Sequence, residues 1–138
     1  MQKPIHCLII DDDPDDQEIF LMCVQEININ IHCLTCNTGV DAISMLESDL
    51  SYIPEYIFID VNMPKMDGIT CLGILKKIGR LKHSKFFMYS TSADRSALEN
   101  SRKFGANDFI IKPVRKAELK ERLSGIFSNA TNDYTNKV

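Results

Sequence analysis

The sequence predicts an α/β fold in which helices cover both faces of a five-stranded parallel sheet. Five short apolar runs alternate along the 138 residues with five segments whose apolar residues recur at helical spacing. Several of these runs are apolar without alternation, which is typical of strands buried on both faces. Strands that alternate with helices form parallel sheets with right-handed crossovers. The predicted strands are Ile5–Ile10, Ile31–Cys36, residues 56–60, Lys85–Ser90 and Asp108–Ile111.

The first predicted helix follows the first strand and begins at Pro14. Proline suits the first helical position because its missing N–H would have no partner there, and Asp13 ahead of it suits the N-cap. Apolar residues from 19 to 27 form one stripe. Asp13, Asp15 and Asp16 are interpreted as charges that complement the positive end of the helix dipole.

The other helices are predicted at residues 41–46, 69–78, 94–104 and 116–127. The third and fourth are expected to end at Gly79 and Gly105, because glycine readily adopts the left-handed conformation that follows many helices. Five strands and five helices in a chain of this length suit the flavodoxin-like strand order 2-1-3-4-5. The sheet then forms the middle layer of a three-layer sandwich.

Length and composition indicate one domain. The chain is 44% hydrophobic and 25% charged, which is ordinary for a globular protein. Its net charge is −3, with lysine and arginine scattered, so we expect no nucleic acid and no membrane among its partners. No apolar stretch approaches the roughly 20 residues of a spanning helix, and a cytoplasmic location is expected. Residues 1–128 are predicted to form the domain and residues 129–138 a polar, disordered tail.

Five cysteines lie scattered through apolar segments and are interpreted as free core residues in a reducing compartment. Cys33 and Cys36 have the spacing of a metal or redox pair. They fall in a predicted strand, however, where residues three apart point to opposite faces. Core packing is therefore the preferred interpretation.

Polar residues follow four of the five predicted strands, at the edge of the sheet where ligands bind in this fold class. Carboxylates gathered at that edge would repel one another unless a cation lay between them, and oxygen ligands of this kind suit Mg²⁺. A carboxylate there would act as a nucleophile toward phosphorus, while metal, ammonium and hydroxyl groups neutralise the phosphoryl oxygens. In strand order, the residues are Asp11 and Asp12, Asp60, Ser90, and Lys112.

Five motifs in this order resemble the receiver domains of two-component response regulators, of the single-domain, chemotaxis-regulator-like type. The resemblance extends over residues 4–127. The motifs are LIIDDDPD at 8–15, IDVNMPKMDG at 59–68, YSTS at 89–92, Gly105-Ala106, and FIIKP at 109–113.

The resemblance implies that Asp60 accepts the phosphoryl group as an aspartyl phosphate. It further implies that Mg²⁺ is held by Asp12, by Asp60 and by the backbone carbonyl of Asn62, with Asp11 acting through water. Ser90 and Lys112 would contact the phosphoryl oxygens.

The resemblance also implies a switch in which Ser90 and Phe109 move together on phosphorylation. Three further residues would have structural roles at the site: Pro64 and Gly68 in the loop that leaves it, and Pro113 as the family's cis proline.

The function implied is that of a single-domain response regulator in a two-component or phosphorelay system, without an output domain of its own. A histidine kinase or a histidine phosphotransfer domain would donate the phosphoryl group. The chain would catalyse only its own phosphorylation and dephosphorylation, and so would not be an enzyme. A separate downstream protein target would receive the signal, and a homodimer is a further option.

Two alternatives stay open at this point. A receiver-like binding module would keep the fold and act without phosphorylation. A haloacid-dehalogenase-type phosphatase would use Asp11 and Asp13 as its D-x-D pair. That alternative is the weaker, because Asp15 stands where those enzymes favour threonine or valine and the chain has no room for their cap insertions.

Overall fold

The computed structural model describes residues 3–28 and 30–136, with side chains as far as residue 128. Its strands are β1 (Ile5–Ile10), β2 (Ile31–Cys36), β3 (Tyr56–Ile59), β4 (Lys85–Ser90) and β5 (Asp108–Ile111). They form one parallel sheet in the order β2-β1-β3-β4-β5, which confirms the predicted topology. All of β3 and most of β1 and β4 are buried, which explains their unbroken apolar runs.

Five α-helices cover the sheet, with α1 and α5 on one face and α2, α3 and α4 on the other. Four of them begin where a threonine or aspartate side chain accepts a hydrogen bond from a backbone N–H of the first turn. None of the described helices is both long and apolar enough to span a bilayer. The helices are α1 (Pro14–Ile27), α2 (Gly39–Ser48), α3 (Gly68–Leu75), α4 (Arg95–Lys103) and α5 (Lys116–Asn136).

The two faces of the sheet have different cores. Between the sheet and α1/α5 the core is largely aromatic, with ring centroids 4.9 Å apart for Phe20 and Phe58 and 5.0 Å apart for Phe58 and Phe87. Between the sheet and α2–α4 the core is built mainly from leucine, isoleucine, methionine and cysteine. The two cores together hold in position the strand ends that carry the polar residues.

Two helix ends differ from the prediction by more than two residues. α3 ends at Leu75, and Gly79 begins a 3-10 turn (Gly79–Leu81) instead of following the helix. Ile78, the residue before this turn, packs against the core between the sheet and α2–α4, so the apolar stripe continues although the α-helix does not. α5 continues to Asn136, nine residues past Phe127, the last residue of the predicted helix. The division into a domain and a tail stays a prediction, and residues 137–138 lie outside the described part.

All five cysteines are free thiols, and four of them are buried. Cys33 packs against the aromatic core, whereas Cys36 belongs to the core on the other face. The prediction that these two side chains point to opposite faces is therefore confirmed.

Candidate functional site

Three carboxylates meet at the carboxyl edge of the sheet, where β1, β3, β4 and β5 end. Asp11 continues β1 through a hydrogen bond from its N–H to the Cys36 carbonyl (3.0 Å), and the Asp60 N–H donates to the Ile10 carbonyl (2.9 Å). Asp11 is fully buried, Asp60 is nearly so, and Asp12 is exposed. One carboxylate oxygen from each of these three aspartates lies within 4.8 Å of the other two.

Lys112 enters this cluster from the end of β5. Its backbone N–H donates to the Ser90 carbonyl (2.7 Å), and its side chain is only 7% exposed. Its Nζ lies 2.8 Å from Asp11 Oδ2, 2.8 Å from Asp16 Oδ2 and 3.4 Å from Asp60 Oδ2. Burial opposes the charge on Lys112, but the carboxylates outweigh it and raise the pKa of the ammonium group.

Asp60 is the carboxyl group whose protonation the site changes most clearly. Burial raises the pKa of Asp60 to about 6, and the charge of Asp11 adds to the rise, although Lys112 opposes it. Its Oδ1 accepts a hydrogen bond from the Asn62 N–H at 3.3 Å. A buried carboxylate with more acidic neighbours than cations is a group that a divalent cation would stabilise in its charged form.

Two buried oxygens at this edge lack ordinary hydrogen bonds. Ser90 Oγ has no partner among the described residues. Asp11 Oδ2 has Lys112 at 2.8 Å, but accepts no hydrogen bond of normal geometry from the part of the chain that the structure describes. Because buried polar atoms are almost always hydrogen-bonded, these two oxygens suggest that the site is built for groups from outside the chain.

The loop after β3 passes very close to the site. The Gly68 N–H donates to the Val61 carbonyl (2.8 Å), and a Cβ on Gly68 would lie 2.0 Å from the Asp60 carbonyl oxygen, so no other residue fits without moving that backbone. Pro64 accepts a hydrogen bond from the Met66 N–H (2.8 Å) in the turn before α3. Asn62 is exposed beside Asp60, and the role of its carbonyl as a ligand stays a prediction.

Phe109 lies on β5 opposite Met88 of β4, half-buried against the aliphatic core. Its ring is thus on the strand next to the one that ends in Ser90. The two residues have the neighbouring positions that a coupled movement would need, and the coupling itself stays a prediction.

The expected cis peptide before Pro113 is wrong, because the described residues contain no cis peptide bond. The trans form of an X–Pro bond is favoured by about 0.5–1 kcal/mol where nothing selects cis. Lys112 reaches its three carboxylates from a trans peptide.

Helix α1 contributes a site residue that the sequence analysis missed. Asp13 caps the helix as predicted, accepting from the N–H groups of Asp15 (2.9 Å) and Asp16 (3.4 Å). That role points its carboxylate at the helix and weakens the phosphatase alternative. Asp16, interpreted from the sequence as a helix charge, contacts Lys112 instead. The sequence feature that could have indicated this contact is the position of Asp16, one turn before the buried Phe20, on the stripe of α1 that faces the sheet.

The residues present fit a divalent metal ion. Carboxylate oxygens at close range, one of them without a normal hydrogen bond, form the hard, anionic donor set that Mg²⁺ and similar cations prefer. Asp11, Asp12 and Asp60 would hold it. Lys112 neutralises part of the charge of these aspartates and of Asp16, and a divalent cation would neutralise two charges more.

Comparison with known proteins agrees with this geometry. The family model described as response regulator receiver domain matches residues 7–124. Chemotaxis protein CheY-3 of Vibrio cholerae is 29% identical over 127 residues, which are 92% of this chain and 95% of that protein.

Two solved structures illustrate the likeness of the fold. A chain of the CheX-CheY-BeF3-Mg²⁺ complex from Borrelia burgdorferi superimposes with a TM-score of 0.75 at 26% identity, covering 91% of this chain and 90% of that one. The Mn²⁺-bound form of response regulator Rcp1 gives a TM-score of 0.79 at 23% identity, with 91% and 93% coverage.

Proposed function

The chain belongs to the response regulator receiver domain family, and from that premise we propose that it accepts a phosphoryl group on Asp60 with Mg²⁺ bound. The observation that carries this proposal is that Asp60, two further carboxylates, the buried Lys112 ammonium and the Ser90 hydroxyl lie at one edge of the sheet. The hydroxyl has no hydrogen-bond partner among the described residues. These are the groups that phosphoryl transfer to a carboxylate requires.

In the transfer step, a carboxylate oxygen of Asp60 attacks the phosphorus of a phosphohistidine. The new O–P bond forms as the P–N bond breaks, and its electron pair stays on the imidazole nitrogen of the donor. Lys112 supplies positive charge to the phosphoryl oxygens, and Ser90 donates a hydrogen bond to one of them. A bound Mg²⁺, held by Asp11, Asp12, Asp60 and the Asn62 carbonyl, would offset negative charge on the same oxygens. Hydrolysis then breaks the O–P bond of the aspartyl phosphate and restores Asp60.

The partners follow from this chemistry. The donor is a histidine kinase or a histidine phosphotransfer domain. Recruitment of Ser90 to the phosphoryl group would draw Phe109 with it and change the surface of β4, α4, β5 and α5. A separate protein, or a second copy of this chain, would read that surface. The Borrelia burgdorferi relative, seen in complex with CheX together with BeF3 and Mg²⁺, supports both the metal and a separate partner.

The test is to incubate the purified protein with acetyl phosphate and Mg²⁺ and to follow its intact mass. We expect one added phosphoryl group, absent in Asp60→Asn and in the presence of EDTA. Peptide mapping should place it on Asp60. Absence of labile phosphate, both with acetyl phosphate and with a phosphorylated histidine kinase, would instead favour the binding module that works without phosphorylation.

A further inference from the structure

The Lys112 ammonium group is divided among three carboxylates. An ammonium group has three hydrogens, and Lys112 Nζ has three carboxylate oxygens within ion-pair distance. Asp16 lies as close as Asp11, at 2.8 Å, whereas Asp60 lies at 3.4 Å. Before any phosphorylation, the lysine is therefore held more closely by Asp16 than by the proposed phosphoacceptor.

Asp16 neither caps α1 nor belongs to the group of carboxylates that could hold a metal ion. The cap of α1 is Asp13, so the helix start does not need the Asp16 side chain. Among the described residues, the carboxylates placed to share a metal ion are Asp11, Asp12 and Asp60, and Asp16 is not one of them. Its side chain is 27% exposed, and its carboxylate accepts a hydrogen bond from Lys112, 96 residues away along the chain.

The helix that carries Asp16 holds it firmly in place. Phe20 and Val24, one and two turns further along the same stripe, are buried in the aromatic core, and α1 packs along α5. The lysine side is equally fixed, because Lys112 lies over the buried Tyr89 ring, with Nζ 5.1 Å from its centroid. The ion pair is thus part of the built site.

We propose that Asp16 is a positioning residue that competes with the incoming phosphoryl group for Lys112. This inference rests on the proposed phosphorylation of Asp60. An anionic donor needs the ammonium hydrogens that Asp16 occupies, and it also approaches the negative charge of Asp16 itself. Asp16 therefore weakens the binding of the donor, and removal of its charge releases Lys112 toward the phosphoryl oxygens while Asp11 still holds the lysine in place.

The experiment compares Asp16→Asn with Asp15→Asn in acetyl phosphate titrations with Mg²⁺. Asp15→Asn is a matched control, because it removes the same charge from the same helix turn. Asp15 is exposed and takes no part in the ion pairs of Lys112. We expect Asp16→Asn to lower the half-saturating concentration of acetyl phosphate about 3- to 10-fold, with a smaller change in the maximal rate. Asp15→Asn should change it less than about 2-fold, and Asp16→Glu, which keeps the charge, should stay near the wild type.

A second measurement reads the contact without phosphorylation. In protein with isotope-labelled lysine, the side-chain NMR signal of Lys112, assigned through Lys112→Arg, should shift in Asp16→Asn and stay in place in Asp15→Asn. Thermal unfolding of all variants, with Asp16→Ser as a second replacement, shows whether each is folded.

Equal titrations of Asp16→Asn and Asp15→Asn, or weaker donor binding in Asp16→Asn, would overturn this inference and leave the proposed function intact. A wild-type protein that gains no phosphoryl group on Asp60 would overturn the proposed function and this inference with it.

Discussion

Two buried serine hydroxyls, one at each end of β4, differ in their hydrogen bonding. Just before the strand, Ser84 Oγ donates to the Pro54 carbonyl at 2.6 Å, and both atoms are buried. At the end of the strand, the equally buried Ser90 Oγ has no hydrogen-bond partner within the described part of the chain. A serine hydroxyl is thus hydrogen-bonded at the amino edge of the sheet, whereas one at the carboxyl edge has no partner among the described residues.

The contrast extends to the charged groups. At the amino edge, the Asp108 carboxylate pairs with Arg122 at 2.7 Å, one anion with one cation, and both side chains are about half exposed. At the carboxyl edge, Asp11 and Asp60 are buried, and a single lysine serves them and Asp16. Buried polar groups without full partners lower stability, and their retention at one edge indicates that this edge is kept for binding.

The largest effect is expected where the carboxyl edge is most tightly packed, at Gly68. In Gly68→Ala the new Cβ would lie 2.0 Å from the Asp60 carbonyl oxygen, so the backbone of the site has to move. We expect the free energy of unfolding in urea to fall by about 3 kcal/mol, as for severe overpacking, and phosphorylation of Asp60 to be lost. Gly79→Ala is the control, because nothing lies within 4 Å of its Cβ position. Equal stability of the two variants would contradict the close approach.

The next effect concerns the charge of Asp60. Its pKa is raised from its ordinary value of 3.8 to about 6 in the folded protein, so between these two pH values the folded state holds the proton to a greater extent than the unfolded state does. Stability therefore falls as pH rises through this window. Asp60→Asn removes the penalty, and in EDTA it should raise the free energy of unfolding by about 1–3 kcal/mol near pH 8.

The same stabilisation should be small near about pH 4, where the wild-type carboxyl group is largely neutral in the folded state. Urea unfolding of both proteins across this pH range measures the difference. Mg²⁺ should stabilise the wild type more than Asp60→Asn, since one ligand is lost in the variant. A difference between the two proteins that does not depend on pH would show that the raised pKa is not its cause.

The parts of the molecule that could be predicted from sequence are those that depend on local pattern or on strand order. Four of the five strands have the predicted bounds, and β3 ends one residue earlier than predicted, at Ile59. The gathering of Asp11, Asp60, Ser90 and Lys112 follows from parallel strands whose carboxyl ends share one edge. Sequence could therefore predict that these four residues lie near one another, but not the distances between them. Their roles in phosphorylation have to be measured by the proposed experiments.

The parts that could not be predicted depend on packing between distant segments. To predict the contact of Asp16 with Lys112, one must know how α1 packs on the sheet. The charge pattern of the sequence alone indicates only that Asp16 lies at a helix end. Ile78 continues the apolar stripe from a position between the end of α3 and the 3-10 turn, because packing on one core gives the same spacing as a continuous helix. The cis peptide at Pro113 was expected from resemblance alone, and no local feature of the sequence distinguishes cis from trans there.

The smallest effect on stability is expected when Ser84, just before β4, and Ser90, at its end, are each replaced by alanine. This pair gives the sharpest test of the comparison between the two edges. Ser84→Ala leaves the buried Pro54 carbonyl without its partner, and should lower the free energy of unfolding by about 1–2 kcal/mol. Ser90→Ala removes a hydroxyl that has no hydrogen-bond partner among the described residues, so it should leave stability unchanged within about 0.5 kcal/mol or raise it slightly. Urea unfolding of both variants in EDTA measures this. For the aspartyl phosphate the order should reverse, because Ser90→Ala alone loses a contact to the phosphoryl group. A Ser90→Ala variant as destabilised as Ser84→Ala would mean that both hydroxyls are structural, and the difference between the two edges would not hold.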